Sequence, residues 1–301
     1  MTLFNSLQRR VFRRCGVSKT VFVNGEYLPS DKASISVFDR GFLFGDGVYE
    51  VIPVVMGKLV DEEYSLERLR RSLSAVEIAW PCSEADYLHM LRELIRRDSV
   101  TEGSVYVQIT RGIAERDFAY PLHIKSTIMA YTSPRNLLDN PAAKAGVKVV
   151  SVPDLRWQRR DIKSLNLLGQ CMAKQQAAAQ GAFEAWMVED GKVTEGASSS
   201  AFIIKDKTII TRALSNAILP GIRRRVIMEL AAESGLSLTE RSFTLAEAMS
   251  ADEAFISSAT TLVMPVVSID GNNIADGKPG PVTQKLRLLY IDSLLAEAAS
   301  K

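Results

Sequence analysis

Hydrophobic positions along the chain change period from one segment to the next. "SVYVQITRG" alternates strictly, with Val105, Val107 and Ile109 on one side and Tyr106, Gln108 and Thr110 on the other. A period of two predicts a strand, and the polar row is expected to line a pocket. Upstream, "TVFVNGEYLP" reads as a strand turning at Asn24-Gly25, a tight-hairpin signal. "FGDGVYEVIPVVMGKLV" reads as two strands around Met56-Gly57-Lys58. The spacing then turns helical: Leu66, Leu69, Leu73 and Val76 share a face in "SLERLRRSLSAVEI", with arginines opposite. A second helix is predicted in "SEADYLHMLRELIRRD", where Ser83 caps and Tyr87, Met90, Leu91 and Ile95 bury.

"TSPRNLLDNPAAKAG" carries two prolines, two asparagines and little periodicity, which predicts a connection between domains. Beyond it, "VKVVSV", "AFEAWMVED", "SAFIIKD", "KTIIT" and "EAFISS" read as strands. Helices are expected over 166–180, 221–234 and 281–298, and Thr244 with Glu247 forms a capping box for a short one. The pattern predicts an α/β fold of two α/β domains with a cleft between them. The small domain takes residues 19–135, the connection 136–145 and the larger domain 146–301. Residues 1–18 stand apart: "MTLFNSLQRRVFRRCG" has four arginines and no acid. Such a segment is a basic tail, an overextended start or a mitochondrial presequence.

Composition narrows the function classes. A net charge of +2 over 301 residues gives no reason to expect nucleic acid or a membrane surface as partner. Three cysteines without ligand spacing and only two histidines, His89 and His123, argue against a metal site and for a reducing compartment. The expected location is the cytoplasm, or the mitochondrion if the first residues are a transit peptide. No apolar run approaches the roughly 18 residues that suggest a membrane span.

Four stretches point to chemistry, although each alone also fits an ordinary turn or helix start. Lys163, in "DIKSLNLLGQ", lies just before an apolar helix. A lysine is nucleophilic only when desolvated or held near another cation, and Arg156, Arg159 and Arg160 are close in sequence. In "GKVTEGASSSAFIIKD", the small residues of the turn, Ser199 among them, suit close approach by a flat ligand. Glu195 could face a ring nitrogen and keep it protonated. In "ILPGIRRRVIMEL", Pro220-Gly221 opens a helix whose first N–H groups can meet an anion. "ISSATTLVMPV" could close around the same anion.

Taken in order, "RWxxxDIKSLNLL", "TEGASSSAF", "LPGI" and "SSATT" resemble the fold-type IV pyridoxal-phosphate aminotransferases, and within them the D-amino-acid subgroup. "DRGFLFGDGVYEV" and "VYVQITRG" belong to the same resemblance, which runs from about Val21 to the C-terminal helix. It implies two α/β domains with the cofactor, pyridoxal 5′-phosphate, in the cleft, and a homodimer with the site at the interface. By that similarity Lys163 forms the Schiff base and moves the substrate proton, while Glu195 pairs with the pyridine nitrogen. Arg68 binds the phosphate, joined by backbone N–H groups of Ile222 and Arg223 and by Ala259 and Thr260. Position 223 is threonine in the D-amino-acid enzymes, so a hydroxyl contact is missing here. Glu50, beside Tyr49, is expected to face the opposite side of their strand.

Substrate residues follow the same resemblance. Tyr49 is expected to point toward the reacting bond and the substrate carboxylate, beside Tyr106 and Gln108. Branched-chain L-amino-acid enzymes carry arginine where this chain has Gln108. The D-amino-acid enzymes use an arginine two residues before a histidine, from the partner subunit. Arg116 fits that arginine, but Phe118 stands in place of the histidine. The implied reaction moves an amino group from a D-amino acid such as D-alanine to 2-oxoglutarate. The alternatives are a branched-chain L-aminotransferase and an aminodeoxychorismate lyase, which needs no oxo-acid acceptor.

Overall fold

A computed structural model of the chain describes residues 19–301, so the basic segment 1–18 lies outside the described residues. The first half runs β1 (Thr20–Val23), β2 (Glu26–Pro29), α1 (Arg40–Phe44), β3 (Gly47–Val55), β4 (Lys58–Leu59), α2 (Glu62–Ala75), α3 (Glu84–Asp98), β5 (Glu102–Thr110) and β6 (Thr127–Pro134). Its six strands form one antiparallel sheet in the order β2-β1-β6-β5-β3-β4. The hairpin turns at Asn24 and Gly25, both at positive φ, as the dipeptide predicts. Val105, Val107 and Ile109 of β5 are fully buried with Leu69, Leu73 and Leu91 of α2 and α3. Burying each such side chain contributes about 1.5–3 kcal/mol relative to exposure.

The connection is less irregular than its composition suggests. Residues Pro141–Ala145 form a short helix, α4, in which Pro141 opens the first turn and the Asn140 side chain accepts from Ala142 N at 3.0 Å. The residues that signal a loop serve here as helix-start chemistry.

The second half comprises β7 (Val147–Pro153), α5 (Leu168–Ala179), β8 (Glu184–Glu189), β9 (Lys192–Gly196), β10 (Ser200–Lys205), β11 (Thr208–Thr211), α6 (Ile222–Glu233), β12 (Ser237–Glu240), α7 (Leu245–Met249), β13 (Glu253–Ser258), β14 (Leu262–Ile269), β15 (Asn272–Asn273) and α8 (Pro281–Ala299). These strands build a nine-stranded mixed sheet, β12-β11-β10-β13-β14-β7-β8-β9, with β15 on β14. The sheet is buried on both faces. Ala201 and Ile203 of β10 join Phe243 and Ala248 on one side, while Phe202 and Ile204 join Ile227, Leu286 and Tyr290 on the other. Strands β6, β9, β12, β14 and β15 add to those predicted. Strand β14 is interior although Pro265 interrupts it, and its ladder to β7 shifts register between Val266 and Ser268. Pro265 pairs with Phe255 of β13, and the ladder to β7 begins only at Val266, so the residue without an N–H lies just before that ladder. Among the described residues no helix is long and apolar enough to cross a membrane, and no group of three His, Cys, Asp or Glu could hold a metal.

Candidate active site

Lys163 lies in the loop between β7 and α5. Strand β4 covers only Val54 and Val55 of β3, and the Lys163 loop takes the other end of that edge. Tyr49 N donates to Lys163 O and Leu165 N to Gly47 O, both at 3.0 Å, while Lys163 N donates to Ser72 Oγ at 3.3 Å. These bonds fix the lysine backbone against the first sheet. Its half-buried side chain places Nζ 4.1 Å from the Tyr49 ring centroid. The amine borders a cavity of about 280 Å³, whose wall also holds Tyr49, Arg68, Glu195 and Ser199. Ile222, Arg223, Ala259 and Thr260 complete the predicted residues that the fold gathers there.

The nearby arginines are not free cations beside Lys163. Arg156 Nη2 donates to Asp154 at 2.7 Å and Nη1 to Glu195 at 2.6 Å. Arg160 pairs with Glu189 at 2.7 Å, and exposed Arg159 with Asp161 at 3.0 Å. Each positive charge is therefore committed to a carboxylate.

Glu195 belongs to β9 itself and is buried. Its Oε1 accepts from Arg156 and from Leu219 N at 3.1 Å, while Oε2 has only Leu219 N at 3.3 Å. Burial pushes its carboxyl above the ordinary glutamate value, and the charge and hydrogen bond of Arg156 pull it back only in part. The turn after β9 is held from beneath by buried Glu184. Its Oε2 accepts from Ser198 Oγ at 2.7 Å and from Ser199 Oγ at 3.1 Å.

Arg68 projects from the buried side of α2. Its Nε and Nη2 donate to the two oxygens of Glu50 at 2.9 and 2.5 Å, and Nη1 to Pro220 O at 3.3 Å. Glu50 is fully buried. Burial raises its pKa, but Arg68 and Lys163 hold the carboxyl below the usual range. A Cβ at Gly221, where α6 begins, would lie 2.6 Å from Ser200 Oγ, so a larger residue there would require that hydroxyl to move. No side chain caps the N–H groups of that first turn. Gln170, Arg223 and Ser257 are among the lining residues, and buried Ser257 Oγ, Gln170 Oε1 and the Arg223 guanidinium have no hydrogen-bond partners among the described residues.

The fold does not bring Tyr106, Gln108 or Arg116 to this wall. Tyr106 stacks on Tyr49 with ring centroids 5.7 Å apart, and its hydroxyl donates to Gln108 Oε1 at 3.0 Å. Arg116 is exposed, 5.4 Å from the Phe118 ring and 5.5 Å from the Phe44 ring. Sequence reasoning missed the Glu50 clamp on Arg68, the Arg156 bridge to Glu195 and the support from Glu184. Only Arg156, seven residues before the lysine in "RWQRRDIK", had a motif to flag it.

Residues 47–269 match the amino-transferase class IV family model. D-alanine aminotransferase of Bacillus licheniformis is 39% identical over 281 residues, spanning 93% of this chain and 98% of its own length. The Staphylococcus haemolyticus enzyme of the same name is 40% identical, with 89% and 95% covered. Among solved structures, the branched-chain amino acid aminotransferase of Escherichia coli superposes with a TM-score of 0.85 at 22% identity, covering 92% of this chain and 95% of that one. The T.th. branched-chain enzyme, solved with pyridoxamine 5′-phosphate, superposes equally well at 0.85 with 21% identity, covering 92% and 94%. Identities this low speak for the fold alone.

Proposed function

The chain belongs to the class IV aminotransferases, and from that premise we propose that it moves the amino group of a D-amino acid of the D-alanine type to 2-oxoglutarate. The cofactor of the family is pyridoxal 5′-phosphate, and the cavity fits that group chemically. An amine, a buried carboxyl and an anion-accepting helix start border one space, with buried hydroxyl and guanidinium groups still unpartnered. When bound, the cofactor supplies a carbonyl that takes up an amino group and a ring that delocalises the electron pair left at Cα.

The chain's own residues then divide the work. Lys163 Nζ is the covalent anchor and, once released, the base that takes and returns the proton at substrate Cα. Its fixed backbone and the Tyr49 ring restrict where that amine can reach. Glu195 holds the proton of the ring nitrogen, and Arg156 orients it. Arg68, Ser199, Thr260, the backbone of Ala259 and the first N–H groups of α6 from Ile222 and Arg223 receive the phosphate. Tyr49, supported by Tyr106 and Gln108, forms the substrate side.

Arg116 completes that side from a second copy. Exposed Phe38, Phe42, Ile113 and Phe118 lie on adjoining segments, joined by the Asp39–Ile113 bridge and the Phe44–Phe118 contact. An apolar surface of this kind suits burial in a homodimer, which would bring the partner's Arg116 toward the substrate carboxylate.

One observation carries the reading: Lys163 and Glu195, 32 positions apart in sequence, border one cavity with the start of α6. The choice of D-amino acids rests on relatives 39–40% identical over nearly their whole length, with glutamine at position 108. The test is a half-reaction of the cofactor-loaded protein with D-alanine or L-leucine, followed by absorbance as the pyridoxamine form accumulates. D-Alanine is expected to convert it. Conversion by L-leucine alone would favour the branched-chain alternative, and product formed well beyond one equivalent per site with no oxo acid added would favour a lyase.

A further inference from the structure

The segment from Gly112 to Ser126 joins β5 to β6 with no helix or strand of its own, and it carries Arg116. Most of it is exposed, yet two buried arginines hold it. Arg40 opens α1 and Arg111 follows β5, and they are 2% and 4% exposed. Both converge on Asp46. Arg40 Nε donates to Oδ2 at 2.7 Å, while Arg111 gives Nε to the same oxygen at 2.8 Å and Nη2 to Oδ1 at 3.1 Å.

Their remaining donors act on different parts of the chain. Arg111 holds the turn after α2, with Nη1 on Glu77 O at 2.8 Å and Nη2 on Val76 O at 2.6 Å, and the Tyr120 ring centroid lies 3.4 Å from its guanidinium. Arg40 reaches into the segment itself. Its Nη1 donates to Asp117 O at 2.5 Å and its Nη2 to Phe118 O at 3.4 Å, the carbonyls of the two residues after Arg116. On the other side of Arg116, Gly112 O accepts from Arg40 N at 2.9 Å and Ala114 N donates to Phe38 O at 3.2 Å. Arg116 therefore sits between two fixed points, and Arg40 contributes to both. Carbonyls on an exposed segment can be satisfied by water, so a charged donor anchored on a carboxylate adds placement more than pairing.

We propose that Arg40 is a positioning residue for recognition of the substrate carboxylate: its hold on Asp117 O and Phe118 O sets the direction in which the Arg116 side chain leaves the segment. The proposal rests on the reading of Arg116 as the carboxylate ligand offered to the other subunit. An arginine presented to another subunit's cavity is placed by its own chain, and fixing that chain beforehand lowers the ordering cost of binding. Removing Arg40 leaves Asp46 with both of its bonds from Arg111, so no buried charge is stranded by the change.

The test is steady-state kinetics of the cofactor-loaded full chain with D-alanine varied, for Arg40→Met in the parent and in an Arg116→Ala background. In the parent, Arg40→Met is expected to raise the KM for D-alanine about 5- to 20-fold, with a smaller proportional change in kcat and the same cofactor absorbance. In the Arg116→Ala background the same change is expected to move KM by no more than about twofold, because the two residues act through one contact. An unchanged KM in the parent would overturn the proposal. So would an equal rise in both backgrounds, which would assign Arg40 to the fold alone, or a loss confined to kcat. If Arg40→Met does not fold, Arg40→Lys carries the test: an ammonium keeps the charge but cannot hold Asp46 and both carbonyls as the fork does. Its KM is expected to rise several-fold, again only where Arg116 is present, and an unaltered KM refutes the assignment. Arg116→Ala with the KM of the parent would instead overturn the reading of Arg116, and the proposal with it.

Discussion

Glu50→Leu isolates the buried pair that positions Arg68. The carboxylate is fully buried, the guanidinium is 9% exposed, and two charge-assisted bonds of 2.9 and 2.5 Å join them. Leucine removes both bonds and leaves Arg68 with only Pro220 O, at 3.3 Å. Stranding one partner of a buried pair costs about 3–5 kcal/mol, whereas replacing both by apolar groups strands no charge. Glu50→Leu with Arg68→Met should therefore cost clearly less than the sum of the two single changes. In a chain of this size a kcal/mol moves Tm by about 2 °C, so the single variant should melt about 6–10 °C below the parent. Circular dichroism melts of the cofactor-free protein read this directly. The pH dependence has a defined sign. Although burial opposes ionisation, Arg68 holds the folded pKa of Glu50 below its unfolded value. The stabilisation is then full above the unfolded value of about 4.3 and is lost as pH falls through the folded one. Glu50→Leu should lack that part of the acid sensitivity. A single variant melting within about 2 °C of the parent, or a double variant showing the full sum of the singles, would refute the reasoning.

Three further outcomes are expected. Lys163→Ala should abolish multiple-turnover transamination, and borohydride should fix cofactor to Lys163 in the parent but to no residue in the variant; peptide mapping checks this. Glu195→Gln, which keeps shape but not charge, should lower kcat by about 100-fold or more with little change in Tm, measured by steady-state kinetics beside a melt. Arg116→Ala should raise KM for D-alanine about 10- to 100-fold, as expected for loss of a charged hydrogen bond, without altering cofactor absorbance. An unchanged KM would remove Arg116 from the substrate site.

Much of the site could be read from the chain because motif order carried it. Lys163, Glu195, Arg68 and the start of α6 fall in four short stretches, and the fold places all of them on one cavity. Helices α2, α3, α6 and α8 follow from strong apolar periodicity or clear start signals. The misses have physical causes. Strand β14 is apolar throughout and interrupted by Pro265, so it shows neither alternation nor an unbroken strand composition. The tie between Glu50 and Arg68 spans 18 residues and joins a strand to a helix, which no local period encodes. The same holds for Arg156 and Glu195, 39 residues apart. Arg223 gave the opposite difficulty. Its backbone role was suggested by position, whereas its burial and unpartnered fork depend on Asp61, 162 residues earlier.

Glu195, which lines the cavity, and Glu50, which holds Arg68 there, show how one residue type takes two roles. Burial opposes ionisation in both, yet Glu50 is held below the ordinary value and Glu195 above it. The difference lies in their partners. Glu50 has a bidentate guanidinium and the field of Lys163, so it stays charged and holds Arg68 in place. Glu195 has one N–H of an arginine that it shares with Asp154, and its Oε2 receives only a 3.3 Å amide contact. It therefore retains capacity to accept a proton-bearing nitrogen, and its raised pKa makes a shared proton inexpensive. Exchanging the two environments would leave the wrong carboxyl poised for chemistry. The Arg156 bridge is thus as much a part of the site as the residue it touches, because a second N–H from that guanidinium to Glu195 would push the carboxyl toward the behaviour of Glu50.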